Sequence, residues 1–490
     1  MSQDYPIAII GGGPVGLAAI AHILERGETP ILFEAGETVG ASVLQWGHVR
    51  MFSPWEFNVD GASVRLLEQH NWDMPPLDEL PTGSDLYHKY LQPFATLPEV
   101  SQTIQTGARV VAISRQNVDK MKDRGRDDAP FMLHVEYSNG DEELIYAKAV
   151  IDASGTWTKP NPVGANGLPA IGEKRYSDRI AYGIPDVKNG AKLRYANKRV
   201  MVVGSGHSAI NGLLDLASLH DEYPDTKVYW AMRGTNLKKV YGGQEDDALE
   251  ARGQLGIRIQ QAVDNGAVEI VAPFRVERIN FENDCLCVAG NVNDEIQTIA
   301  VDEIIGATGS RPDVDMLREL RLDLDPAVES TRTLAPLIDP NIHSCGTVRP
   351  HGEAELRQPE KDFYIVGMKS YGRAPTFLLA TGYEQVRSVV AGLVGDWEAA
   401  QDVQLNLPET GVCSTDFADE ADGVASACCG TPAAKEEAIA GGCCDSSEAV
   451  AESANVLAIG DIPISVAGAQ VITLKASDDT TCCGGSDDCC

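Results

Sequence analysis

Residues 5–16 read Tyr-Pro-Ile-Ala-Ile-Ile-Gly-Gly-Gly-Pro-Val-Gly. The apolar run Ile7 to Ile10 has the pattern of a buried strand. It passes directly into Gly11-x-Gly13-x-x-Gly16, and a helical pattern follows from Leu17 to Leu24. Strand, glycine turn and helix in that order are the context in which such a turn binds a dinucleotide. Gly11 permits the tight turn, Gly13 lets backbone approach a pyrophosphate, and Gly16 lets the helix pack closely on the strand. Pro14 suits the first helical turn, where its missing N–H is no loss. The free amides and partial positive charge of the helix N-terminus then face the phosphates. Downstream, Pro30-Ile31-Leu32-Phe33 reads as a second strand ending in Glu34, an acid placed to bond ribose hydroxyls.

The same pattern returns at mid-chain. Arg199 to Val203 leads into Gly204-Ser205-Gly206-His207-Ser208-Ala209, and a helix pattern runs to Leu219. Gly-x-Gly-x-x-Ala is the accepted variant of the turn. The strand after it, Lys227 to Met232, ends not in an acid but in Arg233, which suits a 2′-phosphate. Two nucleotides are therefore expected: FAD on the opening turn and NADPH on the inserted one. The expected fold is α/β, with two Rossmann-like dinucleotide-binding domains, the NADPH domain inserted into the FAD domain. Boundaries fall at 1–160 and 311–402 for the FAD domain, 161–197 for a connector, and 198–310 for the NADPH domain. His207 caps or spaces its phosphate turn.

Other segments fill in this plan. Residues 36–60 are aromatic and turn-rich and read as a loop near a ligand. Thr82 to Phe94 reads as a helix. Residues 109–113, 131–137 and 144–151 read as strands, the last running into Asp152-Ala153-Ser154-Gly155-Thr156-Trp157, a second small-residue turn open to a cofactor. Residues 267–305 read as alternating strands, and 363–395 as strand, turn and helix.

The chain of 490 residues is long enough for about three domains. Its net charge of −32, from 72 acids and 40 bases, argues against nucleic acid or an anionic membrane as partner. No apolar run is long enough to cross a membrane, and Asp4 stands where a secretory leader would be basic. The 12 cysteines are absent from the first 284 residues. Cys285, Cys287 and Cys345 are scattered, and eight form adjacent pairs: Cys428-Cys429, Cys443-Cys444, Cys482-Cys483 and Cys489-Cys490. A secreted scaffold would spread its cysteines through the core, so a reducing, cytoplasmic compartment is expected. Residues 403–490 read as an acidic, Cys-rich, disordered tail with a short strand pair near 456–475. Adjacent thiolates present themselves to a soft ion, so the eight paired cysteines are candidate metalloid ligands. The neighbouring acids raise their pKa, yet a soft ion still displaces the protons.

GGGPVG, SGTW, VVGSGHSA, ATGSRPD and the Gly367 segment, in this order, resemble the two-dinucleotide-domain flavoproteins over about residues 5–396. That group includes disulfide reductases and class B flavin-containing monooxygenases. QWGHVRMFSPW and SGTWTKPNP are closer to the monooxygenases. GMKSYGRAPTFLLATGYEQVRS with the Cys-pair tail resembles the flavoprotein monooxygenases of arsenic-resistance operons. The resemblance implies Trp46, Arg50, Val110, Ala153, Gly155, Thr308, Gly309, Gly367 and Met368 as further cofactor contacts, with Arg50 the candidate for a charge near the flavin or NADP. It implies dioxygen and a small soft nucleophile, such as a trivalent arsenical, as substrates. Two departures stand out. Residues 175–186 lack the Phe-x-Gly-x-x-x-His of class B enzymes, and Gly367-Met368 replaces the usual Gly-Asp, leaving backbone to serve the ligand. The reductase alternative needs a dithiol beside the flavin, and no Cys-x-x-Cys occurs in the first 412 residues. Tail cysteines acting as an electron relay, or as a metalloid store without turnover, are the other readings.

Overall fold

The computed structural model describes residues 5–247, 249–342, 351–375, 377–402 and 404–405. Strands follow in the order β1 (Ile7–Ile10), β2 (Pro30–Phe33), β3 (Ile104–Gln105), β4 (Ala108–Arg115), β5 (Phe131–Tyr137), β6 (Glu142–Ala147), β7 (Ala149–Asp152) and β8 (Ile180–Tyr182). Then come β9 (Arg199–Val203), β10 (Lys227–Ala231), β11 (Glu269–Val271), β12 (Arg275–Glu282), β13 (Cys285–Val292), β14 (Glu295–Val301), β15 (Glu303–Gly306) and β16 (Phe363–Ile365).

The first sheet is parallel, in the order β16-β7-β1-β2-β3. Because side chains alternate along a strand, Ile7 and Ile9 face one layer while Ala8 and Ile10 face the other. Ile7 and Ile9 pack against helix Pro14–Glu25 (Leu17, Ile20) and helix Leu379–Leu393 (Val386, Val389). Ala8 and Ile10 pack against the antiparallel sheet β4-β5-β6 through Ile113, Phe131 and Leu133.

The second domain repeats this plan. Its parallel sheet runs β11-β10-β9-β15-β8. Val200 and Val202 face helices His207–Ser218 and Glu250–Asp264. Met201 and Val203 face the antiparallel sheet β12-β13-β14. The expected α/β architecture of two dinucleotide-binding domains is therefore the one observed.

Four local features differ from expectation. Residues 144–151 are two strands, broken at Lys148, rather than one. The connector supplies an edge strand, β8, which pairs with β15. The helix at 82–94 is capped by a reciprocal Thr82–Asp85 box and passes through a π turn at Tyr87–Leu91, next to Pro93, which has no N–H to give. Helix Glu250–Asp264 has no counterpart among the expected elements.

The two crossings between domains run side by side. Pro160 and Ser310 form an antiparallel bridge. Asn161 N–H donates to Gly309 O (2.9 Å), and Arg311 N–H donates to Lys159 O (3.0 Å). The described residues belong to one compact unit, Met1–Ala421. The unit Asp422–Cys490 lies outside them, and with it all four cysteine pairs; Cys345 and the expected strand pair near 456–475 also lie outside.

Two candidate dinucleotide sites

Both glycine turns sit at the carboxyl ends of their sheets, where the strand order reverses, between β1 and β7 and between β9 and β15. Open α/β sheets bind ligands at such points. The two turns are built alike. Gly11 has φ +100°, and a Cβ there would lie 2.7 Å from Ala153 O. Gly204 has φ +137°, and its Cβ would lie 2.2 Å from Ala307 O. In each case the carbonyl just beyond the end of the neighbouring strand occupies the space a side chain would need. Gly16 is constrained by Gly11 O, 1.9 Å from its would-be Cβ. Gly13 and Gly206 differ from these. Each is the N-cap of its helix, and a Cβ on either would meet nothing within 4 Å. They face open space where a pyrophosphate can approach the helix amides. Pro14 is the first helical residue, as expected.

Around the first turn, Glu34 accepts from the amides of Gly12 and Gly36, both at 2.7 Å. A carboxylate has about four acceptor positions, so ribose hydroxyls can share it. Ala153 N–H donates to Ile10 O, and Gly155 has φ +68° with open space around it. Beneath this turn lies a buried ion pair that the sequence reading did not single out. Lys369 Nζ donates to Asp152 Oδ2 (2.6 Å) and Ser154 Oγ (3.0 Å), with both charged side chains fully buried. Gly367 has φ +68°; its N–H donates to Gln385 and its carbonyl accepts from Ser370. Its own backbone is thus engaged within the protein, and half-buried Met368 follows it.

Three implied contacts are also engaged within the protein. Val110 is buried in the β4-β5-β6 core layer, which leaves only its backbone for a ligand. Trp46 packs its indole on Gly83, whose would-be Cβ lies 2.6 Å from the ring. Arg50 is exposed, and its guanidinium donates to Leu80 O (2.6 Å), tying the loop to the 80–82 segment.

Around the second turn, Ser205, Gly206 and Ser208 are exposed. His207 opens the helix, and its ring lies 5.3 Å from that of Phe52, on a first-domain loop. Arg233 follows the end of β10; its side chain is exposed, yet its guanidinium donates to Ala165 O (3.2 Å) and is partly desolvated. That desolvation, and then the nearby Arg373 and Arg275 charges, draw its pKa down. A cluster of cations is electrostatically suited to a phosphate. Thr308 and Gly309 hold the domain crossing: Thr308 Oγ1 donates to Asn161 O (2.5 Å), and Gly309 has φ +79°.

The two described cysteines lie in β13. Cys285 is buried and its thiol donates to Glu282 O (3.2 Å); Cys287 is half-buried. Desolvation pushes the Cys287 thiol pKa up, with Cys285 and Glu282 adding to the effect. A raised pKa is the opposite of what a reactive redox thiol needs.

A sequence model described as pyridine nucleotide-disulphide oxidoreductase matches residues 8–348. Monooxygenase cfoE of Aspergillus candidus is 27% identical over 232 residues, 45% of this chain; the match spans only 34% of that relative's length. A ferredoxin–NADP reductase of Lactobacillus johnsonii is 22% identical over 355 residues, covering 70% of this chain and 86% of that one. Among solved structures, the bacillithiol disulfide reductase of Bacillus cereus superposes with a TM-score of 0.59 at 18% identity, covering 80% of this chain and 100% of that one. These three names carry three chemistries, and the superposition speaks for the fold alone.

Proposed function

The chain belongs to the pyridine nucleotide-disulphide oxidoreductase family, and from that premise we propose that it is a flavin-dependent monooxygenase of a small, soft nucleophile, a trivalent arsenical above all. FAD and NADPH are its cofactors, and the two turns fit them: each offers helix amides beside a glycine that faces open space. NADPH supplies hydride, and the flavin passes the electron pair onward. The chain's own residues hold the two cofactors. Gly13, Pro14 and Glu34 serve the FAD pyrophosphate and ribose. Gly206, His207 and Ser208 serve the NADPH pyrophosphate, and Arg233 the 2′-phosphate.

The observation that carries the monooxygenase reading is the missing dithiol. Residues 1–284 contain no cysteine, and Cys285 and Cys287 stand in the outer sheet of the second domain, where burial pushes the Cys287 thiol pKa upward. Without a dithiol relay, the electron pair goes to a diffusible acceptor. With dioxygen and a trivalent arsenical, one oxygen atom goes to arsenic, which is oxidised from As(III) to As(V). The other leaves as water, and NADPH with one proton balances the reaction. The four cysteine pairs at 428–490 support a soft substrate, which they would bind as thiolates. The localisation proposed with this reading is the cytoplasm.

The test is oxygen-dependent NADPH oxidation by purified protein, with and without arsenite or a methylated trivalent arsenical. Substrate should accelerate it, and a Cys285→Ser/Cys287→Ser variant should keep the full rate. NADPH oxidation indifferent to every trivalent arsenical would refute the substrate. The tail pairs also favour a second reading, an NADPH-dependent disulfide or metalloid reductase with the tail as relay. Anaerobic turnover that is lost when the four pairs become serine would establish that reading instead.

A further inference from the structure

Strand β12 is an edge of its antiparallel sheet, and the connector covers that edge. Ala165 N–H donates to Val276 O (3.1 Å), Ile171 N–H to Glu277 O (2.9 Å), and Ile279 N–H to Ile171 O (2.7 Å). A covered edge offers no free ladder to other chains. At Gly172, φ +93°, the connector turns off the strand. An open cleft of about 460 Å³ forms there, between residues 169–176 and 278–280. Phe274 N–H donates to Met232 O (2.7 Å), so β12 starts beside the nucleotide end of β10. Arg278 to Asn280 stand further along the strand, roughly 10–20 Å from that end. The cleft is therefore not part of the NADPH turn.

The loop that lines it is built around a buried carboxylate. Glu173 accepts from Val163 N–H (3.0 Å), Ala170 N–H (2.7 Å) and the Tyr182 hydroxyl. Donors of this kind satisfy a buried carboxylate without a cation. Lys174 and Arg175, next in the chain, are not drawn inward to neutralise it and stand exposed. The lining holds three cations, Lys174, Arg175 and Arg278, and no acid, on a chain whose net charge is −32. Arg175 lies over the Tyr176 ring (5.6 Å). Neither Lys174 nor Arg278 has an ion-pair partner among the described residues. Ile171, 59% exposed, supplies apolar surface between them and half-buried Tyr176 an aromatic ring. A cleft of this volume is sized for one small molecule.

We propose that this cleft binds a small amphiphilic organic anion. Its carboxylate, sulfonate or phosphate meets Lys174 and Arg278, which donate to such groups as a point charge and a planar fork. Its apolar body covers Ile171 and Tyr176. The site is additional to the two nucleotide turns and independent of the substrate.

Full-length holoprotein with saturating NADP⁺ tests it, so that the nucleotide turn is already filled. The probe is anilinonaphthalene sulfonate, titrated by fluorescence and calorimetry beside its uncharged counterpart, phenylnaphthylamine. The parent should bind one sulfonate per chain at this cleft. The double variant Lys174→Ser/Arg278→Ser should raise the sulfonate Kd about tenfold and leave the amine Kd within about twofold, because only charge-assisted contacts are lost. Ile171→Ser should weaken both compounds. All three side chains are exposed, so the melting temperature should hold. A sulfonate Kd unchanged in the double variant overturns the proposal, as does a parent that binds no sulfonate. Should the double variant not fold, the parent is titrated at rising salt. Screening should weaken the sulfonate and spare the amine, and an equal response of the two overturns the proposal.

Discussion

Alanine at Gly11 and alanine at Gly13 should fail for opposite reasons. At Gly11 the backbone stands at φ +100° and the new methyl would lie 2.7 Å from the Ala153 carbonyl oxygen. Left-handed backbone costs about 1–2 kcal/mol for a non-glycine residue, and overpacking against an immobile strand adds about 1–3 kcal/mol. A loss of roughly 4 kcal/mol lowers the melting temperature by roughly 10 °C for a domain of this size. At Gly13 the backbone is ordinary, φ −78°, and the methyl meets nothing. Alanine as N-cap costs about 1 kcal/mol, so the cofactor-free protein should melt within a few degrees of the parent. The methyl instead occupies the approach of the pyrophosphate. Losing two amide–phosphate bonds at about 1.5–3 kcal/mol each weakens FAD binding by roughly 100-fold or more. Melting of the cofactor-free variants, with flavin absorbance per chain after gel filtration, separates the two effects. A Gly13→Ala protein that retains FAD like the parent, or a Gly11→Ala protein of parental stability, would refute the assignment of roles.

Lys369→Met leaves the Asp152 carboxylate buried and unpaired, so urea unfolding should show a loss of about 3–5 kcal/mol; adding Asp152→Asn should recover part of it through coupling, and parental stability in the single variant would count against the pair's role. Arg233→Gln should lower the NADPH-to-NADH ratio of kcat/KM by about 10-fold or more, the worth of a charge-assisted contact to phosphate, whereas an unchanged ratio would move the 2′-phosphate elsewhere. Asp85 is held at about 2, below the ordinary 3.8, by Lys89 first and then by the Thr82 amide. Its folded pKa is the depressed one, so its stabilisation is present above 3.8 and is lost as pH falls through 3.8 towards 2. The stability gap between parent and Asp85→Asn, under about 1 kcal/mol for a surface ion pair, should be flat near neutrality and close in that acid window.

Much of the frame is legible because it is local. A four-residue apolar run, glycines at fixed spacing and a helix period announce each nucleotide turn within about 20 residues. The strands of both antiparallel sheets show the same short-range alternation. What the sequence hides is of longer range. Lys369 and Asp152 are 217 residues apart, and the buried His22–Asp60 pair spans 38, so no window contains either. Strand β8 is three residues long and is an edge strand only because β15 is there to pair with it. Helix Glu250–Asp264 docks through notches as well as through Ile259 and Ala262: would-be Cβ atoms on Gly253 and Gly256 lie 1.9 Å from the carbonyl oxygens of Gln244 and Tyr241. Arg50 shows the converse. Its residue type suggests a cofactor charge, but nothing local foretells the bond to Leu80 O, 30 residues away, that sets its direction.

The paired crossings at Lys159–Asn161 and Gly309–Arg311 make the second domain a cassette. Its entry and exit are adjacent rungs of one short ladder, so the chain enters and leaves the insert at a single place although it crosses twice. A peptide bond from Lys159 to Arg311 would join two residues that are already hydrogen bonded, and the β16-β7-β1-β2-β3 sheet keeps every strand on either side of that junction. Gene fusions that trade this insert for another nucleotide-binding module therefore need to match one covalent seam, not two, besides the Phe52–His207 contact.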